Sequence, residues 1–127
     1  MYKGLLRAVL VVGVSPALAD MSETTKKAMP QVCHNRISSN IQAVASGQML
    51  LVSGTKIHPF DVKGKYGMKL EYLSQTRTRF ASTYMCVFDD GGVVEDVYGV
   101  DFKEYEEGQA RVMMNLGERY REAFGIK

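Results

Sequence analysis

Few side chains in this 127-residue chain could bind a metal or attack a substrate: His34 and His58, Cys33 and Cys86. A zinc site needs three or four N, S or O ligands in close array. Neither histidine has a second one four residues on, no H-E-x-x-H is present, and the cysteines form no C-x-x-C. His58, with His34, is left as an alternative metal pair, and no metal or other cofactor is expected. The methionines are scattered rather than clustered with histidine, which suits core packing better than copper chemistry. Nucleophilic catalysis needs a base held beside the nucleophile. Ser53, Thr55 and His58 share one segment, but no G-x-S-x-G elbow frames them. Asp89, Asp90, Glu95 and Asp96 read as a polar turn and the outer side of a strand, not as two carboxylates flanking a cleft. There is also no glycine-rich phosphate loop and no CxxCH haem attachment. The expectation is a protein that is not an enzyme.

The first residues decide what the cysteines do. Residues 1–19, MYKGLLRAVLVVGVSPALA, combine Lys3 and Arg7, a short apolar stretch from Ala8 to Val14, and Ala17-Leu18-Ala19 before Asp20. This is the three-part pattern of a secretory signal peptide. The apolar run is too short for a permanent span, so no transmembrane segment is expected after cleavage. Periplasmic or secreted localisation follows. In an oxidising compartment the lone pair Cys33 and Cys86 is expected to form a disulfide.

Cleavage also changes the charge. Without Lys3 and Arg7 the chain carries fourteen basic and fourteen acidic residues, which gives no basis for nucleic-acid binding. The charge is unevenly placed: residues 20–80 hold nine basic and four acidic side chains, and residues 81–127 hold five and ten. The two halves are expected to face one another or to offer a basic surface to an anionic partner.

With 46% apolar and 24% charged residues, one globular domain over 20–127 is expected. Residues 20–29 read as a frayed lead-in or an extra turn or two of helix. Pro30 suits a first helical position, and Cys33, Ile37, Ile41 and Val44 then recur on one helical face, predicting a helix over 30–46 that Gly47 ends. Gln48 to Ser53 predicts a strand, and 54–67 a glycine- and proline-punctuated loop. Met68, Leu70 and Tyr72 alternate with Lys69 and Glu71. Phe80, Ser82, Tyr84, Cys86 and Phe88 alternate through a longer strand, and Asp89-Asp90-Gly91-Gly92 predicts a hairpin turn into a strand over 93–100. Asp101 and Glu104 have capping-box spacing ahead of a C-terminal helix with Met113, Leu116, Tyr120 and Phe124 on one stripe. Gly108 and Gly117 weaken this helix, and a split near residue 108 is expected. The fold class is α+β: an N-terminal helix, an antiparallel meander of three or four strands, a C-terminal helix and one disulfide. Both helices are expected on one sheet face.

What remains for function is surface. Lys63, Lys65, Lys69, Arg77 and Arg79, with Tyr66 among them, form a basic stretch. Strand alternation turns Lys69, Arg77 and Arg79 away from the core, towards a candidate partner-binding face. The expected function is a small exported protein that binds a macromolecular partner in the envelope, a protein or another envelope component, in an accessory, inhibitory or immunity-type role. The alternative is a small periplasmic hydrolase or metal-handling protein that uses the 54–67 loop.

Overall fold

The computed structural model describes residues 21–75 and 80–126. The expected signal peptide and the arginines Arg77 and Arg79 lie outside them. The elements run α1 (Glu23–Asn40), α2 (Gln42–Ala45), β1 (Met49–Gly54), β2 (His58–Pro59), β3 (Tyr66–Ser74), β4 (Phe80–Phe88), β5 (Val94–Glu104) and α3 (Glu107–Phe124). This is the expected α+β order, helix, antiparallel meander, helix.

Helix α1 begins two turns before Pro30, so residues 23–29 are helix and not a frayed lead-in. Ser22 caps it, its hydroxyl accepting the Thr25 N–H at 3.1 Å. The apolar stripe starts at Met29, and Met29, Cys33 and Ile37 are all fully buried. Pro30 is interior to the helix and buried, and packing outweighs its missing N–H. The expected single helix to residue 46 breaks at Ile41, whose backbone is extended. The polar Ser38-Ser39-Asn40 run precedes the break, and Ser39 Oγ donates to the Arg36 carbonyl at 2.8 Å, a bond that competes with helical pairing. Gly47, at φ 81°, ends α2.

The strands form one antiparallel sheet in the order β1-β3-β4-β5, with the short β2 also paired to β3. Directly opposed residues share a face. Met68 opposes Cys86, Leu70 opposes Tyr84, and Tyr66 opposes Phe88. This face carries the main core, and α1 packs on it through Met29, Cys33 and Ile37. The expected 54–67 loop is partly ordered as a β2–β3 hairpin, with Phe60 N donating to the Lys65 carbonyl at 2.9 Å. At the β4–β5 turn Asp89 Oδ1 accepts the N–H groups of Gly91 and Val93.

Strand β5 runs past the expected residue 100 to Glu104, because Asp101 to Glu104 pair with Thr83 to Phe80 of β4. The capping box therefore lies at Glu106 and Gln109, and Gly108 falls in the first turn of an unbroken α3. The helices do not share one sheet face. The first half of α3 packs Ala110, Met113 and Met114 against Val52, Leu73 and Ala81 on the face away from α1. Its end brings Tyr120 and Phe124 to the main core. In between it crosses the edge strand β1 at Gly117, where an added Cβ would stand 2.6 Å from Val52 Cα.

That approach makes opposite predictions for two glycines of one helix. Gly117→Ala should destabilise the fold by about 1–3 kcal/mol, because backbone atoms must shift. Gly108→Ala, with nothing within 4 Å of the new methyl, should gain up to about 1 kcal/mol from helix propensity. Denaturant unfolding of the two variants checks this, and equal responses would contradict the close crossing.

Candidate functional site: the open sheet face and the bare edge

The expected disulfide is formed: Cys33 and Cys86 are bonded, with Cα atoms 5.8 Å apart, and tie α1 to the central strand β4. One residue on, His34 Nδ1 lies 2.7 Å from the Tyr72 hydroxyl and the two rings stack. Burial, and then the charge of Arg121, hold the His34 pKa below its ordinary value. Burial pushes the Tyr72 hydroxyl well above the usual tyrosine range, so it stays protonated. His34 thus pins α1 to β3. His58 stands elsewhere, its Nδ1 3.4 Å from the Lys56 carbonyl and its ring against Gly67. Among the described residues no three His, Cys, Asp or Glu side chains gather as a metal site.

Among the described residues, Lys63, Lys65, Tyr66 and Lys69 of the basic stretch do not share one face. Lys63 is exposed in the β2–β3 turn. Lys65 forms an ion pair with Glu95, so part of the charge asymmetry is spent within the fold. Tyr66, 3% exposed, is a core residue facing Phe88 and has no surface to offer a partner. Lys69 alone of the described members sits on the open face, as alternation predicts. Arg77 and Arg79 lie outside the described residues.

Around Lys69 the structure gathers a polar array that sequence alternation hides. Ser53 opposes Glu71, Glu71 opposes Thr83, and Thr83 opposes Asp101, one row across four strands. Regular alternation would not put the two ends on this face. The register shifts at Val52, between Leu51 and Ser53, and at Val100, between Gly99 and Asp101. Each bulge adds one residue and so turns the next side chain over. Ser53 Oγ then donates to Glu71 Oε1 at 2.9 Å, and the Tyr105 hydroxyl donates to Oε2 at 3.2 Å. Burial first, and then the Glu71 carboxylate, raise the Tyr105 pKa. With Thr55, Lys69 and Lys103 this row lines a shallow depression of about 230 Å³. A larger cleft of about 760 Å³ lies between the start of α1 and the end of α3, where Lys26, Lys27, Gln31 and Glu122 border Phe124.

The sheet has two edges, and they differ. At β1, α3 lies along the strand, Gly117 touches its backbone, and the Arg121 guanidinium donates to the Leu51 carbonyl. At β5, α1 reaches the start of the strand, where the Arg36 guanidinium donates to the Val94 carbonyl at 3.3 Å, and from Glu95 to Glu104 every residue but the half-buried Val97 is exposed. There Tyr98, Val100 and Phe102 are 47%, 41% and 72% exposed. Glu95, Asp96, Asp101 and Glu104 add charge along the same strand, which guards it against indiscriminate pairing.

Comparison with protein-family models, with curated proteins and with solved structures yields no match. Among the described residues no helix is long and apolar enough to cross a membrane.

The His34 contact makes a pH prediction. A folded pKa below the unfolded value of 6.5 means that the unfolded chain binds protons more readily. The stability contributed by neutral His34 is therefore complete above about pH 6.5 and is lost as the pH falls towards the folded value. Melting temperature followed from about pH 8 down to pH 5 should drop more in the native chain than in His34→Gln. Parallel curves would place His34 outside the contact.

Proposed function

We propose that this chain is an exported, non-enzymatic protein that binds a protein partner in the cell envelope, with β5 as the docking edge. The observation that carries this reading is the contrast between the edges. The β1 edge is closed by close helix packing and a guanidinium hydrogen bond, while on the eleven-residue β5 helix contact is limited to the buried Val94, where Arg36 donates to the carbonyl, and Glu95 to Glu104 are exposed apart from Val97. A free edge supplies main-chain donors and acceptors for an added strand, and side chains set the specificity. Exposed Tyr98 and Phe102 are the aromatic type that anchors interfaces, and Lys63 and Lys69 supply rim charge that steers association. Export rests on the signal-peptide pattern of residues 1–19, and the disulfide is consistent with a periplasmic or secreted location. The second reading, a hydrolase or metal handler using residues 54–67, is less favoured, since among the described residues His58 Nδ1 lies 3.4 Å from the Lys56 carbonyl and joins no group of three metal-ligating side chains.

The experiment starts with crosslinked capture from envelope extract, identification of the partner, and affinity measurement with purified components. Tyr98→Ala with Phe102→Ala should leave unfolding within about 0.5 kcal/mol, as expected at exposed positions. The same pair should weaken the partner by about 2 kcal/mol or more. Unchanged affinity would remove β5 as the docking edge.

A further inference from the structure

We propose that the depression on the open sheet face binds a neutral, polyhydroxylated ligand, a sugar ring of a glycan. This site shares Tyr98, Asp101 and Lys103 with β5 but lies on the sheet face rather than along the strand's outer side, and the inference does not depend on the partner reading.

The backbone departs from regular pairing twice to build this surface. Two separate bulges, at Val52 in β1 and at Val100 in β5, turn Ser53 and Asp101 onto the face that already holds Glu71 and Thr83. Bulges are common beside binding and active sites, where they re-aim a side chain. Two of them converging on one polar row build a surface that a regular sheet would not have.

Charge then selects the ligand. Lys69 and Lys103 face Glu71 and Asp101 across the depression, and none of the four joins an ion pair among the described residues. A free anion is drawn to the ammonium groups and repelled by the carboxylates, and a cation meets the reverse. A neutral ligand carrying a donor and an acceptor at every vertex satisfies all four, which is what a ring of hydroxyl groups offers.

The site is also preorganised. The Ser53 and Tyr105 hydroxyls hold both oxygens of Glu71, and each oxygen keeps a lone pair for an incoming hydroxyl. Glu71 and Asp101 stand two strand spacings apart, about 10 Å, with only Thr83 between them. A ring seated over Thr83 would meet a carboxylate on each side. Tyr98 opposes Met85, which opposes Lys69, so an exposed aromatic ring borders the row on the same face. Such a ring offers an apolar surface to the C–H face of a sugar. The volume of about 230 Å³ suits one ring and not an extended ligand.

The test is a titration of the isotope-labelled chain, followed by backbone amide shifts, with maltotriose and N,N′,N″-triacetylchitotriose as neutral probes. Glycine serves as the zwitterion and inorganic phosphate as the anion. At least one trisaccharide should give saturable shifts at Ser53, Glu71, Thr83 and Asp101. Glu71→Gln and Lys69→Met should each weaken it about tenfold, the loss of one charge-assisted hydrogen bond. Their melting temperatures report whether the fold is kept, and Phe102→Ala, on the other face, should bind the sugar unchanged. No saturable shift with either trisaccharide would overturn the proposal. So would tighter binding of phosphate or glycine, or sugar binding indifferent to both variants in folded protein.

Discussion

The bond between Cys33 and Cys86 fixes which face of the sheet is inside. It joins the buried stripe of α1 to the central strand across a sequence separation of 53 residues. On the chain-entropy account a loop of that size stabilises by about 4 kcal/mol. For a domain whose net stability is about 5–15 kcal/mol, this is a large fraction. With α1 held over Met68, Leu70 and Tyr72, and with His34 seated on Tyr72, one face is committed to the core. The opposite face is then closed where the first half of α3 lies on Leu73 and Ala81, and at the other end where His58 stands over Gly67 beside the buried Val87. Among the described residues no other element covers the part between, around Glu71 and Thr83.

That division explains why polar chemistry collects where it does. Glu71 follows the alternation of β3 onto the open face, while its neighbours Leu70 and Tyr72 go to the core. The bulges then add Ser53 and Asp101 from the flanking strands. The path of α3 decides the rest: by crossing β1 it closes that edge, and β5, farthest from it in the sheet, is met by α1 at Val94 and is exposed over most of its remaining length. The open face and the bare edge are two consequences of placing one helix on each side of a four-strand meander.

Much of this was legible in the sequence. The alternation from Phe80 to Phe88 sets β4, Asp89 to Gly92 set its turn, and export logic with inward positions pairs the cysteines. Pro30 misled, because its missing N–H marks a helix start only when packing does not carry the helix through it, and Met29 does carry it. Asp101 and Glu104 have the spacing of a cap but lie in a strand, since β4 needs partners as far as Phe80. The polar row was hidden for a geometric reason. Period-two reading assumes a regular strand, and a single bulge reverses every assignment beyond it. Tyr66 failed as a surface residue for the simpler reason that it continues the inward series of Met68 and Leu70.

In the function proposed above, one sheet edge is closed and the other is open to a partner over most of its length. Hydrogen exchange of the two edge strands tests it directly. In the purified protein the outward amides of β5 should exchange much faster than those of β1, which lie under α3. They should also be the amides that gain protection when the captured envelope partner is added. Equal protection of both edges in the free protein, or partner-induced protection that bypasses β5, would contradict it.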